Sequence, residues 1–177
     1  MFAFTHLRLA GWYHWGVPLL AYLDRLPEIG PAVQLAQDAF VVGAVKVEGP
    51  AALESSAVLR GDQNRIQIGP RFRIGRGSTI HVEMHTDTWV GSDVWLGDNV
   101  VVHACQVGDG TRVEDGGLVL STSRVGPGSI VAADALVPEG ADFPPNSYIS
   151  GTPGRRLRDT TPQERAETLA LVADALG

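Results

Sequence analysis

Cysteine is almost absent from this chain: one, Cys105, in 177 residues. A single thiol excludes an internal disulfide framework and a zinc site built on several cysteines, and it is compatible with a reducing cytoplasm. Long apolar runs are missing as well, and none approaches the ~18 residues of a membrane-spanning helix. The apolar stretch Gly16–Leu23 is interrupted by Pro18 and Tyr22. No small-residue cleavage site follows it cleanly, so no signal peptide is expected. Positive charge is also scarce, with 14 Lys and Arg against 20 Asp and Glu and a net charge of −6. A nucleic-acid partner would require a basic footprint, and none is expected here. What the chain does have is glycine, 21 residues, with 11 prolines, which implies many turns. Hydrophobic residues at 44% suffice for one globular domain.

The branched aliphatics recur in steps of six. Val41, Val47, Leu53 and Leu59 form one series, and Ile68, Ile74 and Ile80 a second. Val90, Leu96 and Val102 form a third, and Val107, Val113, Val119, Val125, Val131 and Val137 a fourth. Gly69, Gly75, Gly91, Gly97, Gly108 and Gly126 each follow one of them directly. A six-residue period suits neither a helix nor a plain alternating strand. It suits a solenoid in which each hexad is one short strand and one corner, with the aliphatic pointing inward. Three hexads close a triangular coil, and stacked coils pair as parallel strands ~4.8 Å apart. The expected fold is all-β, a parallel β-helix of roughly six coils over residues 35–150. Residues 1–34 read as an aromatic-rich N-terminal extension holding Trp12, Tyr13 and Trp15, a candidate surface for a partner protein. Residues 151–177 read as a C-terminal segment with a helix. It starts at Thr161-Pro162-Gln163-Glu164, a capping box with proline in the first turn. Ala166, Leu169, Ala170, Ala173 and Leu176 fall on one face of that helix, the face expected to pack along the solenoid and cap it.

The comb breaks in three places, and breaks in a repeat map to loops on binding faces. Arg60 to Arg65 fill the first, His81, Val82, Glu83, Met84 and His85 open the second, and His103, Ala104 and Cys105 fill the third. Numbering the faces A, B and C stacks Leu59, Ile80, Val102 and Val119 on face A. Arg60, His81 and His103 then form an outward column beside them, at a spacing that lets two imidazoles share a metal. Asp98 falls in a different column, with Ser55, Arg76 and Asp115. It would reach the histidines only from a neighbouring copy in a rotationally symmetric trimer. Cys105 reads as a small buried residue at a tightened corner. His6 and His14 lie outside the comb.

Four runs carry a resemblance: Ala57-Val58-Leu59-Arg60-Gly61-Asp62, Ile66-Gln67-Ile68-Gly69, Ile80-His81-Val82 and Val102-His103-Ala104-Cys105. Together with Gly151-Thr152-Pro153-Gly154 before the helix, they make residues 38–177 resemble γ-class carbonic anhydrases and their relatives. The resemblance implies a left-handed β-helix, a homotrimer, and zinc held by three histidines at each boundary between subunits. His81 and His103 match the first and last zinc histidines, and the middle one falls on Asp98. The family's Asn and Gln-Asp near the site fall on Arg73, Gly75 and Arg76. Arg60 and Asp62 match an arginine and an aspartate that pair across the subunit interface.

Two imidazoles and a carboxylate suit zinc, and also non-haem iron. Arg76, one strand below Asp98, could instead hold that carboxylate in an ion pair and leave the site without metal. Glu83 and His85 are candidate proton shuttles. Arg73 and Arg76 are candidate contacts for a carboxylate or phosphate. The expected function is therefore a trimeric enzyme of carbonic-anhydrase type, hydrating CO2 or acting as a hydrolase or lyase on another small molecule. The alternatives are a structural or interaction trimer, or a hexapeptide acyltransferase with His85 as its base.

Overall fold

Each hexad becomes a strand because its aliphatic turns inward while its neighbours face out, and the small residue that follows lets the backbone fold at a corner. A computed structural model describes residues 19–177; Trp12, Tyr13, Trp15, His6 and His14 lie outside the described residues. The chain winds through about seven coils of short strands and ends in one helix, α1, Pro162–Leu176. Faces A and B share a 12-stranded sheet, and face C lies in an 8-stranded one. Coils pair in parallel, as at Thr79–His81 with Val101–His103. The return strand Arg155–Asp159 runs antiparallel to Ser147–Ser150.

The expected column is present. Leu59 pairs with Ile80, Ile80 with Val102, and Val102 with Val119, all of them fully buried. Each such side chain contributes roughly 1.5–3 kcal/mol of burial, so the stack is the main source of stability.

The solenoid starts earlier than the comb suggested. Leu19–Leu20, Glu28–Ile29 and Val33–Leu35 pair with the next coil and so form a first coil inside the stretch read as an extension. The signal was there: Ile29 and Leu35 continue the six-residue step back from Val41, and Leu19 precedes Ile29 by the same ten residues that separate Ile80 from Val90.

The three breaks resolve differently. Val58–Ile68 is one long strand that bends from face A to face B without leaving the sheet. Residues 82–87 do form a loop, closed by backbone hydrogen bonds between Glu83 and Thr86. The third is a tight corner, where Ala104 takes φ 46 and Cys105 is buried. Burial pushes the Cys105 thiol up to about 12, which makes it a packing residue.

Helix α1 has the expected capping box, with Thr161 Oγ1 accepting from the Glu164 N–H and Glu164 accepting from the Thr161 N–H. It lies along face C, against the strands Ala51–Leu53, Phe72–Ile74 and Val94–Leu96, rather than over an end of the solenoid. Its buried residues are Thr168 and Val172, whereas Leu169 stays half exposed. The apolar stripe expected to pack inward therefore faces mostly outward. Its orientation follows polar anchors: Arg165 Nη1 donates to the Thr160 carbonyl at 2.6 Å, and Gln34 Nε2 to the Leu176 carbonyl at 3.3 Å. The stripe is largely alanine, which buries too little surface to override them.

Candidate functional site

Parallel register sets Arg60, His81 and His103 one above another on the outside of face A. The two imidazoles stack 5.2 Å apart between centroids and 2° from parallel. Asp62, from the same long strand as Arg60, places Oδ1 3.1 Å from His81 Nε2, and Arg60 Nη2 lies 3.4 Å from His81 Nδ1. A guanidinium only donates, so Nδ1 is the accepting nitrogen. The ring proton is therefore on Nε2 and is donated to Asp62. Thr88 Oγ1 donates to the His81 carbonyl at 2.7 Å and fixes the backbone beneath. Burial lowers the His81 pKa, with Arg60 and His103 adding to the effect against the opposing pull of Asp62. For Asp62, burial works against ionisation, but the hydrogen bond from His81 and the charge of Arg60 outweigh it and hold the carboxyl below its ordinary value. Among the described residues, His103 has no side-chain hydrogen bond and is only partly exposed.

Asp98 is not beside this pair. It sits at the corner between faces C and A, stacked with Arg76 and Asp115 as expected. Its Oδ1 accepts from Arg73 Nη2 at 3.1 Å and from the Arg76 backbone N–H at 2.9 Å. The expected Arg76–Asp98 ion pair is thus replaced by Arg73–Asp98. Arg73 lies flat along face C, over Trp95 at 4.9 Å, and its Nη1 also donates to the Leu96 carbonyl at 2.8 Å. The Arg76 side chain is exposed and forms no ion pair among the described residues. Asp109 and Asp115 do at their corners what Asp98 does at its own, accepting from the backbone N–H groups of Ser92 and Asp98 one coil below. Gly75 makes room for this: a Cβ there would collide with the Gly97 carbonyl and with Asp98 Oδ1.

Of the other expected site residues, Glu83 is engaged by the Ser121 hydroxyl at 2.5 Å, and His85 is exposed at the loop tip. Arg60 Nε reaches Asp62 Oδ2 at 3.5 Å, so the two pair within the chain. A cleft of 750 Å³ between the first coil's corner and loop 82–87, lined by Arg25, Leu26, Arg65 and Met84, was not foreseen. Part of its wall, Asp24, Arg25, Leu26 and Glu28, comes from residues read as an extension.

Among the described residues, no three His, Cys, Asp or Glu side chains converge on a common metal position. His81 Nδ1 faces the guanidinium of Arg60, and the Asp98 carboxylate faces that of Arg73. Two of the three expected donors already face a cation, and Asp98 is not beside the histidines, so within one chain these residues do not fit a resident metal.

Face A has a further property. Outward from the core, the row Phe40, Val58, Thr79, Val101, Leu118 and Leu136 runs alongside the histidine column through successive coils. Face B presents Lys46, Gln67, Trp89, Gln106, Arg124 and Asp142 in the equivalent row. The histidines therefore lie on the more apolar of these two faces.

No family model matches the sequence. The chain is 29% identical over 156 residues to Protein YrdA of Escherichia coli K12, covering 84% of each chain. It is 31% identical over 155 residues to the mitochondrial gamma carbonic anhydrase 1 of Arabidopsis thaliana, covering 84% of this chain and 56% of the plant protein, so it spans about half the length of that relative. Its structure superposes on a hexapeptide transferase family protein from Anaplasma phagocytophilum with a TM-score of 0.84 at 26% identity, covering 89% and 93% of the two chains. The fold is a parallel β-helix of hexapeptide-repeat type with a C-terminal helix, and its relatives include proteins named γ carbonic anhydrase. No helix among the described residues is long and apolar enough to cross a membrane.

Proposed function

We propose that the chain is a γ-carbonic-anhydrase-like homotrimer whose site lies at the boundary between copies, where Arg60, Asp62, His81 and His103 act on a small carbonyl or carboxylate substrate. The observation that carries this reading is the apolar row Phe40, Val58, Val101, Leu118 and Leu136 alongside the stacked histidines. A partly exposed apolar face over which no described residue packs is what a second copy would bury.

The residues divide the chemistry. Asp62 holds His81 in one tautomer and one orientation. Burial keeps that imidazole neutral as pH falls toward its ordinary titration range. His103, stacked above and without a side-chain hydrogen bond among the described residues, is the imidazole that exchanges a proton with substrate. Arg60 is half exposed and offers a guanidinium edge to a carboxylate. Zinc or iron shared by His81, His103 and Asp98 of another copy would draw on Asp98 Oδ2, since Oδ1 is held by Arg73 and the Arg76 N–H, and would require Arg60 to leave His81 Nδ1 or Asp62 to leave Nε2.

The test is a panel of small carbonyl substrates, CO2 included, with light scattering on the same preparation. A trimer whose turnover is lost in His103→Ala supports the reading, and a stable monomer at micromolar concentration overturns it. A second reading, a non-catalytic scaffold, is favoured by Asp98 having the same corner role as Asp109 and Asp115. A trimer inert on the whole panel would favour that reading.

A further inference from the structure

Three arginines, Arg60, Arg73 and Arg76, stand at positions that the resemblance relates to a metal site, and they are not equivalent. Arg60 is answered by Asp62, and Arg73 by Asp98 and Glu54. Arg76 contributes its backbone N–H to Asp98, while its guanidinium is exposed and has no ion-pair partner among the described residues. Arg76 is therefore the one of the three whose guanidinium no acid answers among the described residues.

A side chain at position 75 would strike the Gly97 backbone carbonyl as well as Asp98 Oδ1, so Gly75 is what lets the coil above, with Asp98 at its corner, pack this closely. Arg73 then closes the carboxylate from the side. One oxygen of the carboxylate that a metal would need is thus committed to its own corner.

We propose that this site takes a small oxyanion, a carboxylate or phosphate group, in place of a metal. The anion is received by Arg76 of one copy and by Arg60 and His103 on face A of the next. This rests on the boundary site proposed above, because Arg76 sits on the corner that carries Asp98, away from its own chain's histidines. Guanidinium groups suit the role: they stay charged at every physiological pH and bind planar or tetrahedral oxyanions through two parallel N–H bonds.

The experiment uses the full chain, purified without chelator. Metal content is measured by mass spectrometry and oligomeric state by light scattering. Inorganic phosphate and malonate are then titrated by calorimetry into wild type, Arg76→Ala, and a control, Arg155→Ala, in the exposed return strand. The expected result is a trimer with far less than one metal per copy. It should bind at least one of the two anions, with affinity falling roughly tenfold or more in Arg76→Ala and unchanged in Arg155→Ala. The two anions show whether the seat prefers phosphate or carboxylate. Zinc or iron at one per site overturns the proposal. So does a trimer that binds neither anion, or an affinity that survives Arg76→Ala. A monomer removes the boundary site itself, which distinguishes failure of that reading from failure of this one.

Discussion

Asp98 shows how far single residues could be read ahead of the structure. The comb placed it correctly above Arg76, but register gives only the column and not the direction of a side chain. Arg76 sits in a turn and points to solvent. Arg73, three residues earlier on the strand, lies along the face and reaches the carboxylate. A double-mutant cycle separates the two. Arg73→Ala and Asp98→Ala should couple by about 0.5–1 kcal/mol, as expected for a partly exposed charge pair, while Arg76→Ala and Asp98→Ala should be additive. Denaturant unfolding of the two single variants and the double in each cycle measures this. Coupling to Arg76 instead would show that the carboxylate changes partner in solution. Cys105 allows a cheaper check. With its thiol buried and pushed up to about 12, it should not react with a maleimide or disulfide reagent at pH 8 in the folded protein, and should react fully once the chain is unfolded.

Among the elements, the interior strands were legible because a hexad comb fixes register and burial together, so Leu59, Ile80, Val102 and Val119 fall in line without further information. The helix was legible at its start and not in its orientation. Its capping box is local chemistry within four residues, whereas its buried face is decided by anchors at Thr160 and Gln34 that no periodicity reveals. The cap makes a prediction about pH. Hydrogen bonds from Arg158, and then from the Thr161 N–H, lower the Glu164 pKa from 4.5 to about 2. The folded value lies below the unfolded one, so its stabilisation is complete above the unfolded value and is lost as pH falls through the folded one. Wild type should therefore lose helix stability between pH 4.5 and about 2, measured by thermal unfolding followed in the far ultraviolet. Glu164→Gln should show a flatter profile over the same range. Thr161→Ala should cost about 1 kcal/mol at neutral pH, since it removes the reciprocal half of the box, and less in acid, because the Thr161 hydroxyl also helps lower the Glu164 pKa.

At the scale of the whole molecule, the three faces have separate fates. Part of face C is covered by α1, face B is polar apart from Trp89, and no described residue packs over the apolar row and the histidines of face A. That difference gives an experiment in which folding and assembly come apart. Leu118 lies in the middle of the row, partly exposed, with its backbone paired to Val101 and Leu136 on either side. In an isolated chain Leu118→Glu places a charge at a surface position and should change stability by no more than about 0.5 kcal/mol. Buried against another copy, the same carboxylate would lose its water without gaining a partner, a cost of several kcal/mol repeated at each boundary. Leu118→Glu should then give a folded monomer by light scattering, with the circular dichroism of the wild type. Gln106→Glu, in the exposed row of face B, should leave the trimer intact. If Leu118→Glu remains a trimer, the copies meet somewhere other than face A. The stacked histidines would then open to solvent rather than to a neighbour, and Arg76 could not reach them.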